Sequence, residues 1–76
     1  MTFGHYLRET RRGQQVPVRQ LAAQAGIPAE SLLDLEAYRR GPSYTEVQQL
    51  AAALHRPETE LLERAGIIGT RRARRG

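Results

Sequence analysis

Cysteine is absent from the chain. A domain of only 76 residues buries roughly 60% of the surface its unfolded form exposes, so with neither disulfides nor thiolate metal sites the fold rests on side-chain packing. A reducing compartment fits that composition. Long apolar runs are also missing: the longest falls far short of the ~20 residues that cross a bilayer, and no basic stretch leads into an apolar one at the N-terminus. No membrane association and no export are expected. Strand-like alternation and internal repeats are lacking too, which leaves one all-helical domain at most. Chemistry-bearing clusters are equally scarce. His5 and His55 have no Asp, Ser or Cys partner at motif spacing, no glycine-rich phosphate loop occurs, and no metal-ligand group is present. An enzyme is therefore not expected, and no cofactor or metal is. His5 reads as an exposed first-helix residue and His55 as one near a helix C-terminus.

Charge is present but unevenly placed. The net +4 comes from twelve basic and eight acidic residues. Residues 1–70 hold eight Arg against eight Asp plus Glu, so the surplus lies in Arg71, Arg72, Arg74 and Arg75. Within the balanced part the signs separate. Arg8, Arg11, Arg12, Arg19, Arg39 and Arg40 precede Gly41, whereas Glu58, Glu60 and Glu63 gather near the end. One end of such a domain can face phosphate while the other avoids it.

Five short helices follow from periodicity and capping. Phe3 to Arg12 is amphipathic, with Thr2 as its cap and Gly13 as its stop. Pro17 opens a second helix in its first turn, with Val18, Leu21, Ala22 and Ala25 inward, and Gly26 ends it. A third runs from Pro28 with Leu32, Leu35 and Glu36 on one side, and Glu30, Leu33, Asp34 and Ala37 on the other. Ser43 and Glu46 form a capping box for a fourth helix, from about Tyr44 to His55, that turns Val47, Leu50, Ala51 and Leu54 inward. Pro57 starts a fifth through Ala65, packed by Leu61 and Leu62 and ended by Gly66. Residues 1–66 are expected to form the domain and residues 67–76 a basic tail or the start of a linker. Ile67 and Ile68 can extend the packing or meet a partner, while Arg71 to Gly76 has too little to bury to order alone. Between Leu21 and Pro42 the pattern is that of two helices joined by a tight turn, which is the sequence form of a helix-turn-helix.

From Phe3 to Gly66, without a gap, the residues resemble the Cro and phage-repressor type of helix-turn-helix proteins, also called the xenobiotic-response-element family. The resemblance is carried by Phe3-Gly4 with Leu7-Arg8-Glu9, by Val18-Arg19-Gln20-Leu21-Ala22 with Ala25-Gly26-Ile27, and by Leu35-Glu36. Arg39-Arg40-Gly41-Pro42-Ser43 and Glu60-Leu61-Leu62 complete it. It implies a five-helix, lambda-repressor-like, all-α DNA-binding domain of a bacterial or phage transcriptional regulator, cytoplasmic and nucleoid-associated, acting on double-stranded DNA as a homodimer. The third helix, about residues 28–38, is then the one in the major groove. Glu36 and Arg11 match the family's bracing ion pair. Val18, Ala29, Glu30, Ser31, Leu33 and Asp34 fall at or beside the base-contact positions, and Arg19, Arg39, Arg40, Ser43 and Tyr44 at phosphate-facing ones.

The reading face departs from the family's usual Ser, Gln, Thr, Arg or Lys. A carboxylate there is repelled by phosphate and has the cytosine amino group as its good base partner. Glu30 can instead serve the helix dipole, whereas Asp34 lies past that benefit and at i, i+4 from Glu30. Leu33 suits a thymine methyl, a protein partner, or a place against the basic loop. Tyr38 and Tyr44 can donate to phosphate or pack, and Arg39-Arg40 can be a solvated loop. Thr10 replaces an aliphatic residue, and Pro17 and Pro28 replace capping Ser or Thr. The alternative function is a protein-interaction module whose acidic and apolar third-helix face meets a basic partner and whose DNA affinity is indifferent to sequence.

Overall fold

The computed structural model describes residues 2–67, so Ile68 and the arginine-rich tail lie outside the described residues. Within them are five helices and no strand: α1 Phe3–Gly13, α2 Val18–Ala25, α3 Ala29–Glu36, α4 Tyr44–Leu54 and α5 Glu58–Arg64. No helix among these residues is long and apolar enough to cross a membrane. Thr2 caps α1 by accepting from the His5 N–H at 3.2 Å. The capping box at α4 is complete: Ser43 Oγ accepts from the Glu46 N–H at 3.1 Å, and Glu46 Oε1 accepts from the Ser43 N–H at 3.0 Å.

Every helix sends leucine or valine into one core. Leu7, Leu21, Leu32, Leu35, Val47, Leu50, Leu54 and Leu61 are the fully buried large side chains, and Phe3, Tyr6, Ala22, Ala25, Ile27, Ala51 and Leu62 surround them. The helices pack α1 on α3 and α5, α2 on α3 and α4, and α4 on α5. With no crosslink available, each of these leucines supplies about 1.5–3 kcal/mol of transfer free energy against the entropy of ordering.

Three details differ from the sequence expectation. Gly13 is helical and does not stop α1. The left-handed residue is Gln15, at φ 58°, because Val16 N–H closes onto the Arg11 carbonyl at 3.1 Å and Arg11 Nη1 donates back to the Val16 carbonyl at 3.0 Å. Pro17 and Pro28 lie one residue before their helices, at φ −65° and −64° with extended ψ, and Pro57 does the same for α5 at φ −62°. Their carbonyls take the first helical bonds, from Leu21 at 3.0 Å, Leu32 at 3.2 Å and Glu60 at 3.1 Å. His5 is half-buried instead of exposed, on a helix that packs against both α3 and α5.

Candidate nucleic-acid interface

The turn between α2 and α3 sets the direction of the exposed helix. Gly26 takes φ 74°, a left-handed conformation that glycine adopts without a Cβ penalty. Its N–H reaches Ala23 at 3.3 Å while the Ile27 N–H reaches Ala22 at 3.0 Å, which satisfies the end of α2. Ile27 is then buried, and α3 starts one residue after Pro28. Leu32, Leu35 and Glu36 seal the inner side of α3.

Glu36 is the buried charge of the core, and Arg11 accounts for it. Arg11 donates from Nε to Glu36 Oε2 at 2.7 Å and from Nη2 to Glu36 Oε1 at 3.0 Å. Side-chain exposure is 13% for Arg11 and 8% for Glu36. The fork-to-fork geometry is the strongest form of such a pair, and the Glu36 hydrogen bonds raise the Arg11 pKa further. Because Nη1 also holds Val16, one guanidinium joins the end of α1, the loop before α2 and the end of α3.

A second constraint comes from Gly4. A Cβ there would collide with the Leu35 carbonyl oxygen and lie 2.7 Å from Tyr38 Cδ1. Only a hydrogen lets α1 approach the last turn of α3 this closely. Past that turn the chain reverses at Tyr38, which has φ 62°; the residue as a whole is 54% exposed.

The outward face of α3 carries the predicted base-contact residues, although unequally. Glu30 and Ala37 are exposed and Leu33 is 49% exposed, so Leu33 does not tuck against the loop. Ser31 and Asp34 are half-exposed. Val18 and Ala29 are half-buried and lean on the core, which leaves each only part of its surface for any partner. Arg19 is exposed on α2. Tyr44 is 51% exposed at the start of α4, like Tyr38 across the loop from it, so neither is a core residue.

The loop arginines are not simply solvated. Arg39 Nη1 donates to Asp34 Oδ1 at 3.0 Å. Arg40 holds Glu46 with two nitrogens, Nη1 to Oε1 at 3.0 Å and Nη2 to Oε2 at 2.7 Å. These bonds keep the Glu46 carboxyl below its usual range, outweighing the burial that pushes it up, and the Ser43 N–H adds to them. Sequence reasoning gave neither partner. Arg40 shortly precedes the capping box to which Glu46 belongs, and that proximity was the available signal; nothing in the spacing of Asp34 and Arg39 marks a pair. Among the described residues no cluster of three His, Cys, Asp or Glu side chains is placed to hold a metal.

Comparison with known proteins agrees with this architecture. The chain is 39% identical over 67 residues to an uncharacterised HTH-type transcriptional regulator, RghRB, of Bacillus subtilis strain 168, a match covering 87% of this chain and 48% of that protein. The chain thus spans about half the length of that relative. Its fold is similar to the crystal structure of the restriction-modification controller protein C.AhdI from Aeromonas hydrophila, with a TM-score of 0.74, 30% identity, and coverage of 78% of this chain and 89% of that one. Residues 2–64 match the family described as a helix-turn-helix domain. The chain therefore belongs to the helix-turn-helix family, in its Cro and phage-repressor branch.

Proposed function

We propose that this chain is the sequence-specific, double-stranded-DNA-binding part of a transcriptional regulator, with α3 entering the major groove and arginines on the phosphates. The two-faced state of α3 carries the reading. One side is sealed by Leu32, Leu35 and the Arg11–Glu36 brace, and the other runs free from Glu30 to Ala37. A helix held rigidly at a domain surface and presenting one open side is what groove reading requires. The names of the regulator and controller protein to which the chain is similar support the same class. Arg19 on α2 and, past the loop, Ser43 and Tyr44 at the start of α4 flank the open face as phosphate contacts, and a dimer on a two-fold site, with half-sites about one helical turn apart, suits a reader this small.

The interaction-module reading loses force from the Arg39–Asp34 pair, because half of the acidic face it needs is already neutralised within the molecule. Selection of binding sites from a random duplex pool at near-physiological salt tests the proposal. One enriched motif, bound tightly and salt-dependently, is expected, and it should persist after deletion of Arg71 to Gly76. Loss of all affinity on that deletion, or a pool that enriches nothing, would reject DNA reading by α3.

A further inference from the structure

Asp34 and Arg39 are fastened to each other twice. The Arg39 N–H donates to the Asp34 carbonyl at 3.0 Å, and the Arg39 guanidinium donates to the Asp34 carboxylate at 3.0 Å. The first bond exists because Tyr38 is left-handed and folds the chain back over the last turn of α3, with its own N–H on the Leu35 carbonyl at 3.3 Å. This six-to-one closure is usually made by glycine. It brings a guanidinium from the loop to a carboxylate on the open side of the helix.

We infer that Asp34 and Arg39 act as one reading unit: Arg39 contacts a guanine, and Asp34 is the positioning residue that aims it. The inference rests on the DNA-binding reading proposed above. Asp34 occupies one of the five guanidinium N–H groups, no other partner of the Arg39 side chain is seen among the described residues, and that side chain is 69% exposed. Four donors in a planar fork remain, and guanine offers two acceptors, O6 and N7, on its major-groove edge.

Charge decides between a base and a phosphate as the target. The pair is neutral as a unit, so its attraction for phosphate is weak, and a phosphate drawn to Arg39 also approaches the Asp34 carboxylate. A guanine edge carries no charge and meets no such repulsion. Arg40 shows the contrast. Both of its terminal nitrogens are spent on Glu46, Nη1 also reaches the Gly41 carbonyl at 3.2 Å, and Glu46 is holding the α4 cap. Recruiting Arg40 would break its two-pronged pairing with Glu46, whereas Arg39 can act while its pair stays intact.

The test is binding-site selection and a salt series with wild type, Asp34→Ala, Asp34→Asn, Arg39→Ala and the Asp34→Ala/Arg39→Ala double variant, each confirmed folded by its melting curve. Wild type should enrich a G·C pair at a fixed place in each half-site. Arg39→Ala should lower preference for that pair roughly 5- to 100-fold, the span of a good bidentate base contact. Asp34→Ala should lower preference for the same pair, Asp34→Asn should restore part of it, and the double variant should fall no further than Arg39→Ala. Binding of Asp34→Ala to random DNA should rise and its log K against log salt should steepen by about one, because a cation has been unmasked. Preference kept in Arg39→Ala but lost in Asp34→Ala would overturn the inference in favour of Asp34 reading a base itself. A uniform loss in Arg39→Ala with a shallower salt slope would overturn it in favour of a phosphate contact. In both cases DNA reading by the wild type survives, whereas a wild type that enriches no motif removes the parent proposal and this one together.

Discussion

Gly4 and Glu36 are the single positions on which the open helix most depends. Alanine at Gly4 must displace the Leu35 backbone carbonyl, which unlike a flexible side chain cannot move aside cheaply. Gly4→Ala should therefore cost about 1–3 kcal/mol of unfolding free energy, the range of overpacked cores, read from urea titration. Glu36→Ala leaves Arg11 largely buried without its counter-charge. The expected loss, about 1–3 kcal/mol, lies between the surface and fully buried cases, and Arg11→Met with Glu36→Leu should recover most of it. The Arg11–Glu36 residues were legible in the sequence because a family pattern pointed to both. Tyr6 was not read, although it shares the apolar stripe of Phe3 and Leu7 and is 6% exposed; the acceptor of its hydroxyl, Glu60, lies 54 positions away, where no local pattern points. The partner of Asp34 was illegible for another reason. Contact at i, i+5 requires a left-handed residue between, and nothing in a tyrosine announces one.

Helices were the most readable level, since stripe and cap signals reinforce each other at Thr2, Gly26 and the Ser43–Glu46 box. Their ends were read less well, because a stop depends on which residue the following loop forces to positive φ. At α1 that residue is Gln15, and the space around a Cβ at Gly13 is empty. Gly13→Ala should accordingly stabilise the domain by about 0.4–1 kcal/mol by reducing the freedom of the unfolded chain, seen as a higher melting temperature. The start of α4 makes a pH prediction. Glu46 has a folded pKa below its unfolded one, so its contribution is complete above the ordinary carboxylate range and is lost as pH falls through the folded value. Stability measured from pH 6 down to about pH 3 should fall less steeply in Glu46→Gln than in wild type.

Across the whole molecule, α5 is tied back to α1 by one buried phenol. Tyr6 donates to Glu60, Arg64 lies 4.9 Å from the Tyr6 ring centre, and Arg56 stands 3.7 Å from Glu60. Burial first, then the hydrogen bond to Glu60, raises the Tyr6 pKa above 10.0. A raised folded pKa means that the contribution is complete below the unfolded value and disappears as pH rises through the folded one. Wild type should therefore lose stability above about pH 10, and Tyr6→Phe, already weaker by about 1 kcal/mol at neutral pH, should lose less there. The tyrosines have one more use. The chain has three of them and no tryptophan; Tyr6 is sealed at the α1–α5 junction, while Tyr38 and Tyr44, each about half exposed, lie on either side of the arginine loop, Tyr38 with one ring edge against Gly4. Fluorine placed on every tyrosine ring would give one magnetic resonance line from the core and two from the proposed DNA-facing rim. Docking would then move two lines and leave the third, and unfolding would move the third.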